Sequence, residues 1–585
     1  MRKIEVPVFI VGAGPTGLSA ACLLATQGIE TLAITRYPGT ANSPRAHITN
    51  QRTMEVFRDL GIEDRVRLVA TPSELMSNNV WATSFAGTEI ARLQTWGTSP
   101  ERRADYDLAS PSGMCNIPQH LMEPILLDAA RERGASFLFN TELVSMRQDE
   151  ESVHSFLKDR LTGEEIEVVS QYAIGGDGDN SVVVKEIGFP TEGQMGLGAA
   201  VNVWLEADLT KYTAHRPGVL YWMTQPGNNY WVGSGTWICV RPWNEWVLLF
   251  MYDPSQGEPD LSEAAVMERA RATIGDPEVP IKVKAISKWT INQVVARNMN
   301  HGRVLIAGNA AHRHPPANGL GTNTCVQDSF NLAWKLAMVL KGQAGPSLLD
   351  TYTQERQPVG EGVVRRAMKS VADMMPISNA LGFEPGQDEK AGWANLDELF
   401  SNTARGRERR EALREAVDLQ NYQFNCHGVE LGQVYESRAI VPDGSSRSAP
   451  TRDPELYYHP STFPGASLPH VWLQRGHERL SALDVVGHGR FTVLTGVGGN
   501  AWREAARTVA GKLGIELDVV SLGGPNCDVQ DVYGRWHAIS GISETGCLLV
   551  RPDRHVGWRE KELGGQGEPA AELEKVMRRI LHRAA

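Results

Sequence analysis

No stretch of the chain approaches the roughly eighteen uninterrupted apolar residues that a membrane-crossing helix needs, so a helical span is excluded. No two of its seven cysteines (Cys22, Cys115, Cys239, Cys325, Cys426, Cys527 and Cys547) stand in C-x-x-C spacing. An odd, dispersed set in a long chain predicts free thiols and a reducing, cytoplasmic compartment rather than a disulfide framework or a zinc site. Positive charge is not in excess: 58 Lys and Arg face 69 Asp and Glu, for a net charge of −11. Nucleic acid and anionic membrane are therefore poor candidates for the main partner. Internal repeats and low-complexity tracts are also missing. The opening MRKIEVPVFIVGAG has basic residues before an apolar run, but the run is short and lacks an A-x-A-like site. It reads as a strand entering a glycine turn, not as a secretory signal.

At 585 residues the chain has room for several domains. The β-branched run Val6–Val11 leads into GAGPTG, a small-residue helix ending at Gly28 and a second apolar run, Thr31–Thr35. That β-α-β unit predicts a doubly wound, Rossmann-like α/β domain. Two tryptophan-rich stretches, 76–107 and 190–285, alternate apolar and polar residues and predict a half-buried antiparallel sheet. The nucleotide-binding pattern resumes between and after them, so the two domains interleave: 1–75, 108–189 and 286–375 for the first, 76–107 and 190–285 for the second. A charged helical linker is expected over 376–429, and a separate α/β domain over 430–585.

GAGPTG places Gly12, Gly14 and Gly17 in G-x-G-x-x-G spacing, with Pro15 and Thr16 opening the helix. The first glycine allows the turn, the second lets a pyrophosphate approach, and the third permits close helix packing. GGDGDNS at 175–181 displays Asp177 and Gly178 at a strand end, suited to a sugar hydroxyl or to a plain Asp-Gly turn. In AGNAAHRHPPANGLGTNT, Pro315 and Pro316 stiffen the backbone, while Gly319 and Gly321 let it lie flat against a ligand. A helix beginning near Asn323 would turn its positive end to that ligand. His312 and His314 lack acidic or sulfur companions at metal-ligand spacing, so they read as structural and no metal is expected.

Two carboxylates are missing where a dinucleotide site invites them. The second strand ends in Thr35 and Arg36, and the loop has Asn309. A threonine hydroxyl can still accept a hydrogen bond, and Arg36 could reach an adenine. An amide at 309 still offers an oxygen, so this sequence predicts that Asn309→Asp would retain the cofactor.

Taken in order, GAGPTG, PRAHITNQRTMEV at 44–56, PQ at 118–119, GGDGDNS and GNAAHRHPPANGLGTNTCVQDSFNLAWKLA resemble the single-component FAD-dependent aromatic hydroxylases of the para-hydroxybenzoate hydroxylase fold. The likeness is strongest to the 2,4-dichlorophenol 6-monooxygenase and phenol hydroxylase branch, and it covers essentially the whole chain. The tail GCLLVRPDRHVGWR is similar to that branch's thioredoxin-like C-terminal domain, here without C-x-x-C. The resemblance implies FAD contacts from Gly12, Gly14, Gly17, Arg45, Gln119 and Asp177, and from the 309–323 loop, including Pro316, Gly319, Gly321, Thr322 and Asn323. The family usually has Asp at 309 and Glu at 35.

It also implies a reaction: NADPH or NADH, bound transiently, reduces the flavin, and O2 adds to give a flavin hydroperoxide. The distal oxygen then enters a phenolic or hydroxypyridine ring ortho or para to its hydroxyl, in aromatic degradation or natural-product tailoring. Phenol hydroxylase has an aspartate five residues before its R-T pair. The same count from Arg52–Thr53 gives His47, whose ordinary pKa near neutrality suits a base and whose place equally suits a brace for substrate or flavin. Trp222, Trp231, Trp237 and Trp289, with Pro315, are the candidate substrate walls, although any single tryptophan fits core packing as well. A homo-oligomer is expected. The alternatives are a non-catalytic flavoprotein shell and a flavin-dependent halogenase, whose W-x-W-x-I-P signature is missing.

Overall fold

The computed structural model describes residues 2–227, 234–564 and 568–584. Its first sheet is built on five parallel strands in the order Val304–Ile306, Glu165–Gly175, Arg2–Val11, Thr31–Ile34 and Ser136–Leu138. The apolar runs of the inner strands are buried on both faces, as a parallel sheet demands, while the edge strand Ser136–Leu138 is only half-buried. The helices Pro15–Thr26, Gln119–Glu132 and Gly321–Leu340 share the same core. The glycine turn after Val11 and the loop after Ile306 thus emerge side by side at the carboxyl ends of the strands, where open α/β sheets bind ligands.

The second sheet has eight strands, mostly antiparallel, and includes Asn78–Ala82, Gly218–Met223, Gly235–Arg241, Glu245–Tyr252, Thr191–Glu206 and Lys282–Ala296. The last is one continuous strand running beyond 285, and His312–Arg313 of the glycine-rich loop pairs with its end. One face of this sheet is sealed by the helix Glu263–Ile274, held at its ends by the Ser262 hydroxyl and by Gly275 in the left-handed region. The other face packs in part on the helices of 375–424 through Trp81 and Trp222, and its Trp204 meets His120 of the first sheet's helix Gln119–Glu132. A three-stranded ladder of Ile48–Thr49, Cys115–Asn116 and Thr71–Pro72 lies nearby.

Short helices fill 375–431. A mixed seven-stranded sheet then spans 472–560, with Leu517–Gly523 as its middle strand, and is covered by the helices Asn500–Leu513 and Pro569–Ile580. All seven cysteines are free.

The C-terminal region is joined to the first sheet's helices through buried charge. Glu355 takes Lys335 at 2.7 Å and Arg551 at 2.6 Å, and Arg551 also holds Asp553. Arg554 reaches Asp59 at 2.9 Å. A cavity of about 10 Å³, enough for one water, lies in the same interface among Arg52, Asn331, Tyr435, Asp553 and His555. Each carboxylate there has more than one donor, the condition under which buried ions are tolerated.

Candidate active site

The glycine turn is shaped by what its residues lack. Gly12 has φ +109°, and a Cβ there would sit 2.3 Å from the Gly176 carbonyl oxygen. A Cβ on Gly17 would fall 1.8 Å from the Gly12 carbonyl oxygen. Gly14 differs: among the described residues its Cβ would meet only Glu123 Oε1, at 3.8 Å. Gly12 and Gly17 therefore close the turn, while Gly14 faces open space at the start of Pro15–Thr26, where backbone N–H groups and the helix dipole favour a phosphate. Thr16 packs on Gly176, and its carbonyl accepts from Ser329.

Around this cradle lie further expected residues. Gln119 donates to Glu123, and the Gln119 backbone N–H donates to the Arg45 carbonyl, which leaves the Arg45 side chain exposed beside the turn. Glu123, which sequence inspection missed, also accepts from the Ala41 N–H and so ties down the 38–41 loop; burial raises its pKa. The signal was present as Gln119 and Glu123 four apart on one helix. Thr35 accepts from the Tyr37 N–H at 3.3 Å, and Arg36 is exposed at the strand end.

Asp177 is turned inward on its own segment. Its carboxylate accepts from the Ser181 hydroxyl at 2.6 Å and from the Val182 and Val183 N–H groups, which fixes the start of the helix Val182–Ile187. Of the two roles its sequence suggested, the side chain performs the turn-forming one. Gly178 follows with φ +79°.

In the loop after Ile306, Asn309 donates through Nδ2 to Asp179 at 2.7 Å. The buried Asp328 accepts from the Gly308 N–H, His312 and Arg356, so His312 anchors the loop. His314 donates to the Pro315 carbonyl, and burial lowers its pKa to about 4. Pro315 is buried and Pro316 exposed; Gly319 abuts Ile48, and Gly321 lies beside His314. The helix's first backbone bond is from Thr324 to Leu320, so the Gly321, Thr322 and Asn323 amides precede it at the positive end. The Asn323 side chain is not free for a ligand: it donates to the Ile48 and Gly319 carbonyls and accepts from the Asn50 N–H. It pins the 47–50 segment beside the loop, which brings His47 to the site.

His47 precedes the short strand Ile48–Thr49, whose Ile48 is opposite Asn116. Its Nδ1 is buried without a partner among the described residues, as is Asn116 Oδ1. Burial pushes the imidazole pKa down to about 3, nearby His120 adds to the effect, and Asn116 and the Cys239 carbonyl oppose it. Desolvation thus favours the neutral ring over the imidazolium. His120, also missed, is lowered by burial and sits 5.6 Å, centroid to centroid, from the Trp204 ring.

Strand register sorts the tryptophans. Trp222 is opposite Thr236, and Trp237 opposite Tyr221, so with period-2 alternation they occupy opposite faces. Trp237 belongs to the sealed face: it is fully buried against Phe85 and Trp246 and donates to Thr273 of the covering helix. As a substrate wall it is corrected to core. Trp222 is buried as well, on the other face: it stacks on Trp81 and meets Phe424 among residues of the 375–424 helices, with Nε1 buried and unpartnered among the described residues. Trp289 pairs in register with Ala200 and donates to Asn202, sharing the face of Trp204. Trp231 lies outside the described residues.

A dinucleotide cradle at the carboxyl edge of a parallel sheet, facing a glycine-proline loop, a helix N-terminus and an aromatic sheet, defines a flavin-dependent oxidoreductase. Residues 5–367 match the FAD binding domain family, and residues 461–584 match the aromatic-ring hydroxylase C-terminal family. A 2,4-dichlorophenol 6-monooxygenase of Delftia acidovorans is 47% identical, covering 99% of this chain and 98% of its own. A phenol 2-monooxygenase of a Pseudomonas species is 44% identical over 97% and 92%. The crystal structure of the flavin-dependent monooxygenase PieE, in complex with FAD and substrate, superposes with a TM-score of 0.96 at 47% identity, covering 100% of both chains. The chain belongs to the FAD-dependent aromatic-ring hydroxylases. It is a monooxygenase that uses FAD with NADPH or NADH, and the open space at Gly14 and the free helix N-terminus fit that cofactor.

Proposed function

We propose that the enzyme hydroxylates a phenolic or hydroxypyridine ring ortho or para to its hydroxyl, with the hydroxyl on His47 and the ring against the sheet face carrying Trp222 and Trp289. The observation that carries this is His47 Nδ1, which has no hydrogen-bond partner among the described residues, on a ring that Asn116 and the Cys239 carbonyl approach. A neutral imidazole has one acceptor nitrogen, and a buried acceptor without a partner is costly, so a hydroxyl donor is the ligand that completes it. The relatives named for phenol and dichlorophenol support the same class.

When bound, FAD reduced by NADPH or NADH would supply the activation of O2, one oxygen of which enters the ring while the other leaves as water. The protein's residues do the rest. Gly14 and the Pro15–Thr26 helix take the diphosphate, with Arg45 to neutralise it. The amides of Gly321 to Asn323 stabilise negative charge at the ring end, and Pro315 and Pro316 stiffen the loop against it. His47 orients the substrate by accepting its hydroxyl proton in a hydrogen bond, raising electron density at the ortho and para carbons. The aromatic wall excludes water.

Free thiols support a cytoplasmic setting. A homo-oligomer is an expectation that sedimentation would read. The deciding experiment measures NADPH and NADH oxidation with a panel of phenols and hydroxypyridines, and confirms hydroxylated product by mass. A ring that speeds oxidation but releases only peroxide is an effector. If no phenol or hydroxypyridine in the panel yields hydroxylated product, the proposal fails.

A further inference from the structure

The flavin loop lacks a carboxylate at 309, yet one stands beside it. Asp179, on the turn before Val182–Ile187, accepts from Asn309 Nδ2 at 2.7 Å. Asn309 Oδ1 accepts from the thiol of the buried Cys325 at 3.8 Å, a weak donor that leaves the oxygen a second lone pair, and the Asn309 backbone carbonyl accepts from Arg313 Nε at 3.0 Å. An amide alone presents a donor or an acceptor with equal ease. Opposite a carboxylate it has one satisfactory orientation, nitrogen toward the anion and oxygen away from it.

We propose that Asp179 supplies the carboxylate that position 309 lacks, acting as a positioning residue that locks Asn309 with its oxygen turned away from Asp179, where its remaining lone pair accepts a hydroxyl of bound FAD. The negative charge is moved from 309 to 179, and the acceptor role stays at 309. The groups facing the pair are Asp177 from the same turn, Arg313 from the loop, and Cys325 and Asp328 from the helix Gly321–Leu340. Arg313 is the cation among them, already hydrogen-bonded to the loop backbone.

One consequence reverses the expectation drawn from the loop's sequence. Asn309→Asp sets two carboxylates in contact, and like charges that close cannot both ionise, so one must hold a proton. With the proton shared, the pair imitates the amide–carboxylate bond. At higher pH it repels and the loop opens. Swapping the partners in Asn309→Asp/Asp179→Asn rebuilds the same bond in mirror form.

The inference rests on FAD binding and is independent of which ring is hydroxylated. Its test titrates FAD into deflavinated protein, following quenching of flavin fluorescence between pH 6 and pH 8, with far-UV circular dichroism and melting curves of each apoprotein. The parent's Kd should be nearly flat with pH. Asn309→Asp should weaken binding about tenfold at pH 8, which corresponds to about 1.4 kcal/mol, and approach the parent at pH 6. Asp179→Ala should weaken it several-fold at both pH values. The double variant should return to within about threefold of the parent and lose the pH dependence. Equal Kd values for Asn309→Asp and parent at pH 8, or a double variant no tighter than Asn309→Asp, would overturn the proposal. If Asp179→Ala does not fold, the charge-swapped pair decides alone. A parent that takes no FAD removes the cofactor assignment itself.

Discussion

Replacing His47 separates an orienting hydrogen bond from general-base catalysis. With its pKa near 3, the imidazole is neutral throughout the working pH range. Burial disfavours the imidazolium, so full proton transfer to His47 from a phenol, whose ordinary pKa is near 10, is not the step that activates the ring. A hydrogen bond to a neutral acceptor is worth about 0.5–1.5 kcal/mol, or about 2- to 13-fold in rate. General-base catalysis would be worth about 10²–10⁴-fold. His47→Ala should thus lower kcat/KM for hydroxylation about tenfold, raise the share of reduced cofactor that ends as peroxide, and leave FAD content unchanged. His47→Gln, which keeps an acceptor, should recover much of the loss. The assay is kcat/KM for product formation from pH 6 to 9, with bound flavin measured by absorbance. The pH profile should keep its inflections in both variants, because neither the parent's His47 nor its replacement titrates there. A loss above about a thousandfold, together with an inflection that disappears in His47→Ala, would show the ring titrating near neutrality and refute the burial argument.

Gly17→Ala should lower the melting temperature of the apoprotein, since its methyl would fall 1.8 Å from the Gly12 carbonyl oxygen. Gly14→Ala, which meets nothing among the described residues closer than 3.8 Å, should melt normally yet bind FAD at least about tenfold more weakly by fluorescence titration. Arg551→Met leaves Glu355 and Asp553 short of a cation in a buried site, so chemical denaturation should show a loss of about 3–5 kcal/mol. Glu430 is buried with Oε2 unpartnered among the described residues, and burial raises its pKa from 4.5 to about 8. The folded state then holds a proton that the unfolded chain releases above 4.5, so stability falls as pH rises from about 4.5 to 8. Glu430→Gln should raise the melting temperature at pH 8 and leave it little changed near pH 4, the full linkage being worth up to about 5 kcal/mol.

What could be read from sequence follows the range of the interaction involved. The β-α-β opening, Gly12, Gly14 and Gly17, and the Pro315–Pro316 loop were legible because each depends on neighbours a few residues away. Trp222 and Trp237 were not separable, since which face each occupies is set by pairing between strands and not by either strand alone. Asp179 escaped notice for the same reason: its partner, Asn309, is 130 residues away. Asp177 was visible as a turn residue or a ligand, and only the placement of Ser181, Val182 and Val183 shows where its oxygens go. The depressed pKa of His47 has no signature in composition, because desolvation belongs to the assembled pocket.

The buried pairing of Lys335, Glu355, Arg551 and Asp553, with Arg554 on Asp59, has a bearing on how this architecture can be recombined. Cutting the chain after the flavin-binding match at 367 would keep Glu355, Lys335 and Asp59 but discard the arginines that neutralise the two carboxylates. A C-terminal region borrowed from a relative would have to bring matching cations to both places. Grafts chosen by family boundaries alone should aggregate unless residues 551–554 travel with their acidic partners, so the tail is inherited as half of an electrostatic lock.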